Sequence, residues 1–514
     1  MYTEENGKIW LATGSERVYL EPKMANRHGL IAGATGTGKT VTLKVIAESF
    51  SEMGVPVFIA DIKGDVSGMC LAGSENKHIR RSIDTMGIEN FDYTSFPVRF
   101  FDVYGKLGHP VRTTISDMGP ELLARLLDLN DIQSGVLRIV FRIADENGLL
   151  LLDLKDLRAL LQFAADNANE YKIRYGNISA QSIGAIQRAL LALEDEGGNI
   201  FFGEPALDLS DWFDWALDGR GFMNILECAE LFQHPMLYST FLLWMLSELY
   251  ELLPEAGDLD KPKIVFFFDE AHLLFKDAPK ALLEKVEQVV RLIRSKGVSV
   301  WFITQNPMDI PESVLAQIGN RVQHALRAYT PNEQKAIRAA ARSFRVNSAF
   351  DTETVLQELA TGEALVSMLD EKGIPGIVQR ANILPPKSSM NAVEPAVIGT
   401  VLAVSPLMEK YKTALDRESA YEILTAQAEE AARAAEELAR QKEEEKQRLL
   451  EEKQKLMEEK AKAAEKKALE RELAKKQSSR SGSMMGKVTS SAMNTIGREV
   501  GRQLIRGIFG TLKK

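Results

Sequence analysis

A glycine-rich stretch that ends in lysine and threonine has the residue types and the spacing of a phosphate-binding loop, GxxxxGK[ST]. It comprises, in order, Gly33, Ala34, Thr35, Gly36, Thr37, Gly38, Lys39 and Thr40. Glycines let backbone N–H groups wrap around phosphate oxygens, because a Cβ would obstruct the dihedral angles and the close approach. Lys39 would reach the β- and γ-phosphates, and Thr40 would ligate Mg²⁺. We therefore expect this loop to bind ATP together with Mg²⁺.

Two acidic residues follow a strongly apolar run and supply further groups that phosphoryl transfer needs. The run predicts a buried strand, and Asp269 and Glu270 stand at its end. Hydrolysis requires a carboxylate on the metal side and a group that directs the attacking water. We expect Asp269 to hold Mg²⁺ and Glu270 to act as the general base.

Polar residues end two further predicted strands. Gln305 follows one of them, where its amide would sense the γ-phosphate or position water. Asp61 and Lys63 follow another, and in open α/β sheets ligands bind at the edge where the strands end. For Asp61 and Lys63, contact with nucleotide or substrate and simple turn formation remain alternatives.

The elements that must position these residues alternate between apolar strands and amphipathic helices. This alternation is typical of a parallel sheet covered by helices, an α/β fold. The predicted strands are Leu30–Gly33, Val57–Asp61, Val98–Val103, Phe222–Glu227, Ile264–Asp269, Ser299–Thr304, Arg321–Ala328, Ala364–Leu369 and Ile377–Ala381. Between the third and fourth strands, helical periodicity predicts a mostly helical insertion, with helices at Glu121–Leu129, Leu149–Asp166 and Ser179–Glu194.

Charge is distributed unevenly along the 514 residues, whose formal net charge is −9. Residues 428–476 contain fourteen Lys or Arg and fourteen Glu, and residues 477–514 contain seven basic residues and one Glu. The remaining 427 residues therefore carry −9 − 0 − 6 = −15. Such a chain is not a polycation that coats nucleic acid, so any contact with DNA or RNA must be local.

The two C-terminal segments have distinct periodicities. Residues 428–476 repeat Glu at i with Lys or Arg at i+4, which predicts a long charged helix that serves as a spacer or a weak coiled coil. After a Ser- and Gly-rich hinge, residues 477–514 predict a basic amphipathic tail that docks on a partner or on a membrane surface. Cys70 and Cys228 form no CxxC pair, and Met1–Leu11 lacks the pattern of a secretory signal. We expect a cytoplasmic protein.

Two families of nucleotide-dependent enzymes resemble these motifs. Asp269, Glu270, Ala271 and His272 spell DEAH, as in DEAH-box RNA helicases. The wide separation of Lys39 from Asp269 and the lack of that family's downstream arginine motif argue against it. The better resemblance is to the HerA–FtsK superfamily, closest to bacterial HerA-like proteins. It rests on Gly33–Thr40, Asp61–Asp65, the strand before Asp269, Arg291–Val298, Thr304–Gln305 and Val314–Arg321.

The resemblance implies a RecA-like P-loop core, a ring that is a homo-hexamer, and ATP-driven movement of a polymer. On this basis the expected segments are 1–112 and 216–384 for the two parts of the ATPase core, 113–215 for the helical insertion, and 385–427 for a linker. Only about 28 residues precede the first strand, too few for the N-terminal β-barrel of HerA itself. Ring ATPases also insert an arginine from a neighbouring subunit. Arg291, Arg294 and Arg321 are candidates for that residue, with Arg321 favoured.

These observations predict a Mg²⁺-dependent ATPase that translocates or unwinds DNA. Lys63, Lys77, Arg80 and Arg81 would contact phosphates of the nucleic acid, or would form a solvated basic loop. The alternatives are a protein-translocating ATPase and an assembly protein whose oligomeric state depends on nucleotide.

Overall fold

The computed structural model describes residues 2–3, 7–257, 259–276, 278–328 and 330–478. The chain divides into two compact units, Met1–Gln427 and Ala428–Lys514. The first contains the sheet and its covering helices. The described part of the second is a solvent-exposed stretch of one long helix.

Thirteen strands form one mixed sheet within the described residues. Their bounds are β1 Tyr2–Thr3, β2 Lys8–Thr13, β3 Arg17–Leu20, β4 His28–Ala32, β5 Val57–Asp61, β6 Val98–Asp102, β7 His109–Pro110, β8 Met223–Glu227, β9 Ile264–Phe268, β10 Val298–Thr304, β11 Ile318–His324, β12 Glu363–Ser367 and β13 Gln379–Ile383. The order is β1-β2-β13-β12-β11-β4-β10-β9-β5-β8-β6-β7, and β3 pairs with β2.

The half of the sheet from β11 to β7 is parallel, and the half from β12 to β1 is antiparallel. In the parallel half, β4, β5, β6, β9 and β10 are buried along their whole length. Parallel strands covered on both faces are expected to be continuously apolar, which explains the run Ile264–Phe268. The strand that leads into the phosphate-binding loop, β4, lies between β10 and β11.

Sixteen α-helices lie in the described residues. They are α1 Lys39–Glu52, α2 Lys77–Met86, α3 Ile115–Leu126, α4 Asp131–Asn147, α5 Leu154–Asp166, α6 Ala168–Tyr175, α7 Ala180–Asp195, α8 Gly198–Phe201, α9 Pro235–Leu252, α10 Lys280–Leu292, α11 Glu312–Leu315, α12 Pro331–Arg342, α13 Thr352–Glu358, α14 Pro395–Ala403, α15 Leu407–Tyr411 and α16 Ala420–Ser478. None of the described helices has the length and apolar character that a membrane span requires.

Two large cores occupy the two faces of the sheet. Side chains alternate along a strand, so in β9 Phe266 and Phe268 enter one core while Val265 and Phe267 enter the other. The first core also receives apolar residues of α3, α4, α5, α7 and α9, and the second receives those of α1. The helices of residues 113–215 thus cover the face of the sheet opposite α1.

The predicted fold class is confirmed, but several element boundaries and small elements differ. The strand predicted at Arg321–Ala328 is β11, which begins at Ile318 and ends at His324. The antiparallel strands β1 to β3 and the helices α2 and α4 were not predicted. β1 and β3, with two and four residues, carry too little sequence for a clear period-2 pattern.

Residues 385–427, predicted as a linker, pack against the core. The buried Glu48 carboxylate on α1 accepts hydrogen bonds from the backbone N–H groups of Lys387 (2.8 Å) and Ser388 (3.0 Å). Tyr411 is fully buried and its hydroxyl donates to Asp211. This segment therefore belongs to the folded unit that ends at Gln427.

The remainder of the C-terminal region is helical as far as it is described. The long charged helix predicted for residues 428–476 is part of α16, and its described side chains are exposed. The basic amphipathic tail predicted for residues 477–514 lies outside the described residues, apart from the end of α16.

We predict that truncation after Gln427 leaves the core folded, whereas truncation after Leu384 destabilises it. The shorter chain loses Leu402, Leu407 and Tyr411, and it leaves Glu48 without its backbone partners. Burial of these apolar side chains contributes roughly 5 kcal/mol or more to the free energy of unfolding. Thermal unfolding of both truncated chains checks this. Equal melting temperatures would contradict the packing of residues 385–427.

Candidate active site

The carboxyl ends of four parallel strands bring the predicted site residues to one edge of the sheet. Ala32 of β4 pairs with Thr304 of β10, and Phe302 of β10 pairs with Phe268 of β9. Phe268 in turn is level with Ala60 of β5. The residues that follow these strand ends are therefore neighbours, although they are far apart in sequence.

The phosphate-binding loop connects β4 to α1 with a backbone that requires glycine. Gly33, Gly36 and Gly38 have φ angles of 154°, 75° and 114°, a region that L-residues with a Cβ rarely adopt. Gly38 is the residue before the first turn of α1. The N-terminus of this helix directs unpaired N–H groups and a partial positive charge at the loop, which suits a bound phosphate.

Lys39 is buried at the base of this loop. Its ammonium donates hydrogen bonds to the carbonyl oxygens of Gly33 (2.7 Å) and Ala34 (3.1 Å). Burial and the nearby charge of Lys63 lower the pKa of Lys39. The ammonium is thus enclosed within the loop, where its charge is little screened by water and interacts strongly with an anion.

Three carboxylates crowd together beside the loop. Oxygen atoms of Asp61, Asp65 and Asp269 lie within 4.8 Å of one another, and the Thr40 hydroxyl donates to Asp65 Oδ2 at 3.1 Å. Burial raises the pKa of Asp269 to about 6, and the charges of Glu270 and Asp65 also raise it. Such a group of hard oxygen donors fits Mg²⁺, because a divalent cation would relieve the repulsion among the carboxylates.

Asp61 and Asp65 differ in their hydrogen bonding. The Asp61 carboxylate accepts from the backbone N–H groups of Lys63, Gly64 and Val66, so Asp61 shapes the loop after β5. This supports the turn-forming role that the sequence left open. Asp65 Oδ1 is buried and accepts no hydrogen bond from the residues that the structure describes. Asp65 is thus available to a cation, a role that the sequence analysis missed.

Two side chains bond to the Glu270 carboxylate, and a third lies close to it. Lys63 forms an ion pair with Glu270 Oε1, His272 Nδ1 lies 3.2 Å from Oε2, and the Gln305 amide donates to Oε2 at 3.3 Å. Burial raises the pKa of Glu270, but the hydrogen bond and charge of Lys63 outweigh it, so the net pKa is lowered. Glu270 is therefore ionised near neutral pH, as a general base must be.

The backbone of Glu270 is unusual as well. Its φ of 48° and ψ of 46° lie in the left-handed region, which costs a residue with a side chain of this size about 1 kcal/mol or more. This conformation directs the chain from β9 into the short 3₁₀ turn Ala271–Leu274. Strain of this kind persists where neighbouring contacts hold the residue, and here Lys63 and Gln305 do so.

The three candidate arginines occupy different environments. The Arg321 guanidinium donates to the backbone carbonyls of Leu315 (3.2 Å), Ile318 (3.4 Å) and Ser343 (3.4 Å). Arg291 is exposed in the last turn of α10, and Arg294 is half-buried in the 3₁₀ turn that follows. Lys77, Arg80 and Arg81 are exposed on α2.

Comparison with known proteins places this chain in a family. The profile of the family described as "Helicase HerA-like C-terminal" matches residues 7–514. The "DNA double-strand break repair helicase HerA" of Saccharolobus solfataricus is 23% identical over 350 residues, 66% of this chain and 61% of that protein. The protein of the same name from Sulfurisphaera tokodaii is 22% identical over 380 residues, 71% of this chain and 67% of that protein. The chain thus spans about three fifths to two thirds of the length of these relatives.

A solved structure shares the fold. The plasmid coupling protein TrwB, in complex with ADP and Mg²⁺, matches with a TM-score of 0.50 and 15% sequence identity. The match covers 75% of this chain and 92% of that one.

The Lys63–Glu270 ion pair can be measured without an activity assay. We predict that Lys63→Met lowers the melting temperature more in the wild type than in a Glu270→Gln background. The reason is that Lys63→Met alone leaves a buried carboxylate without its cation. Because Lys63 is partly exposed, the coupling free energy should be about 1 kcal/mol. Additive effects of the two substitutions would contradict the pair, and Lys172→Met serves as a surface control.

Proposed function

Because the chain belongs to the HerA-like C-terminal helicase family of P-loop ATPases, we propose that it is a Mg²⁺-dependent ATPase that assembles into a homo-hexameric ring and translocates along or unwinds DNA. The observation that carries the ATPase part is the meeting, at one sheet edge, of Lys39, Thr40, Asp269 and Glu270. A lysine, a hydroxyl, a metal-side carboxylate and a general base are the groups that hydrolysis of a γ-phosphate requires.

Each residue then has a definite role in hydrolysis. Lys39 and the backbone N–H groups of Gly33–Gly38 hold the β- and γ-phosphate oxygens. Thr40 and Asp269 hold Mg²⁺, which when bound neutralises developing charge on the phosphates. Glu270 accepts the proton of the attacking water. Gln305, whose amide already contacts Glu270, positions that water or senses the γ-phosphate.

The ion pair with Lys63 opposes the action of Glu270 as a base, because the nearby ammonium lowers the affinity of the carboxylate for a proton. Gln305 also donates to this carboxylate, so proton transfer from water is favoured when one of these two contacts opens. Lys63, whose side chain is 41% exposed, and Gln305 are both exposed to solvent. Either contact can therefore open without leaving its donor buried and unpaired.

DNA as the polymer is supported by the two archaeal relatives, which are named DNA double-strand break repair helicases. The basic residues of α2 provide a local contact surface on an otherwise acidic unit. Arg80 pairs with Asp84 at 3.3 Å, whereas Lys77 and Arg81 form no ion pair within the described part of the chain. Unpaired lysine and arginine side chains on one exposed helix suit contacts to phosphates.

The arginine that acts on the neighbouring subunit's nucleotide also belongs to this proposal. Arg321 is bound to carbonyl oxygens of its own chain, so it would have to exchange three hydrogen bonds to act in trans. Arg291 is exposed and would act without breaking such hydrogen bonds.

The variants Arg321→Ala and Arg291→Ala should therefore differ in their rates of ATP hydrolysis. The variant that binds ATP normally but has lost turnover identifies the arginine that acts in trans.

Lys39 and Glu270 have different proposed roles, so their substitution should affect ATP binding and turnover differently. Lys39→Ala should abolish ATP binding, because it removes the enclosed cation of the loop. Glu270→Gln should bind ATP normally and reduce turnover at least 100-fold, because glutamine cannot accept the proton. Fluorescent-nucleotide titration and steady-state phosphate release measure the two effects, with the exposed Glu284→Gln on α10 as control. Normal turnover by Glu270→Gln would refute the assignment of the general base.

Substitutions on α2 test the proposed contact with DNA. Lys77→Ala combined with Arg81→Ala should lower the affinity for duplex DNA and reduce the salt dependence of binding by about one ion per lost contact. ATPase activity without DNA should be unchanged. Lys172→Ala on α6 is the matched control for loss of a surface charge. Unaltered DNA affinity and salt dependence would remove α2 from the contact surface, and failure of the wild type to bind DNA would favour a protein cargo or an assembly role.

A further inference from the structure

A buried histidine supports the phosphate-binding loop from behind. β11 runs parallel to β4, with Gln323 opposite Ala32, so His324 is level with Gly33 at the start of the loop. His324 has no solvent exposure. None of the roles in hydrolysis described above requires a histidine, and His324 lies outside the motifs identified in the sequence.

The loop packs directly on this histidine. A Cβ added to Gly33 would lie 2.5 Å from the His324 Cβ, and one added to Gly38 would lie 3.3 Å from its Cε1. Two of the three motif glycines therefore serve a packing purpose in addition to their backbone angles. They let the loop approach His324 more closely than any other residue type allows.

Both ring nitrogens of His324 are bonded, and their partners determine the tautomer. Nδ1 lies 3.0 Å from the carbonyl oxygen of Glu363, which can only accept, so Nδ1 carries the hydrogen. Burial lowers the pKa of His324 to about 4, so the ring is neutral and Nε2 is an acceptor. The Thr42 hydroxyl lies 2.8 Å from Nε2 and donates to it rather than to the more distant carbonyl oxygen of Gly38, at 3.3 Å. His324 thus connects β12 to the first turn of α1.

Backbone hydrogen bonds reinforce the same connection. The N–H of Ala34 donates to the carbonyl of Ala325 at 2.9 Å, and the N–H of Gly362 donates to the carbonyl of Thr37 at 3.1 Å. The loop is therefore attached at Ala34 and at Thr37 to the region around β11 and β12.

We propose that His324 is a positioning residue for nucleotide binding: through its contacts with Gly33 and Gly38 and its hydrogen bond to Thr42, it holds the loop in the conformation that accepts phosphate. The proposal rests on the nucleotide-binding part of the proposed function and is independent of DNA. A loop held in its binding conformation before ATP arrives loses less conformational entropy on binding.

The test is a titration of the full chain with a fluorescent ATP analogue and Mg²⁺, at a temperature well below the melting temperature of each variant. His324→Ala should raise the Kd at least tenfold. His324→Gln should recover most of the affinity, because its amide oxygen can accept from Thr42. Thr42→Val removes only the hydroxyl in a side chain of equal size, so it should raise the Kd several-fold even if His324→Ala does not fold.

A merely structural histidine provides the matched control. His28 is also buried, lies at the other end of β4, and bonds through both ring nitrogens to Val290 and Val300. His28→Gln should lower the melting temperature and leave the Kd within twofold of the wild type. Equal weakening of binding by His28→Gln, or a Kd within twofold of the wild type for Thr42→Val and for folded His324→Ala, would overturn the proposal.

The titration distinguishes failure of the nucleotide-binding function from failure of the positioning role of His324. If the wild type and Lys39→Ala both fail to bind ATP, the nucleotide-binding function is refuted and the role of His324 with it. If the wild type binds and the His324 and Thr42 variants bind equally well, only the positioning role is refuted.

Discussion

The parallel register of β4, β10, β9 and β5 is the constraint on which the site depends. Parallel neighbours end at the same edge, so the loop after β4, the acids after β9, the glutamine after β10 and the loop after β5 meet there. A shift of one residue in this register would turn the apolar side chains of a strand to the opposite core. The two cores, one on each face of the sheet, therefore maintain the register that aligns the catalytic groups.

The charged side chains at this edge of the sheet do not balance one another, so the site carries an excess of negative charge. Among the described residues, the carboxylates of Asp61, Asp65, Asp269 and Glu270 face three nearby lysines, Lys39, Lys44 and Lys63. The ammonium of Lys44 donates hydrogen bonds to the carbonyl oxygens of Ser389 and Met390. Lys63 forms an ion pair with Glu270, and the ammonium of Lys39 donates hydrogen bonds to carbonyl oxygens of its own loop. The aspartates are left with an excess of negative charge, which burial intensifies and which a divalent cation would offset. This excess of negative charge supports the proposal that the site holds Mg²⁺ together with a nucleotide.

The sequence was sufficient to predict the α/β class, the phosphate-binding loop and the strand ends at Asp269, Glu270 and Gln305, because each belongs to a local pattern of motif and apolar run. It did not reveal that Lys63 pairs with Glu270 or that Asp65 contacts Thr40, since both contacts depend on which strand is the neighbour of which. His324 carries no local signal, because its partners are distant in sequence. Residues 385–427 resemble a linker in composition, and their packing depends on polar groups of α1 that only the fold brings near.

The central claim is that hydrolysis at this edge drives movement along DNA. The most direct measurement is the rate of phosphate release from ATP by the purified full chain as duplex DNA is added at several salt concentrations. The account predicts that DNA accelerates release, and that the DNA concentration giving half-maximal stimulation rises steeply with salt, because neutralised phosphates release counterions. A rate of ATP hydrolysis that is measurable but indifferent to DNA at every salt concentration would contradict it.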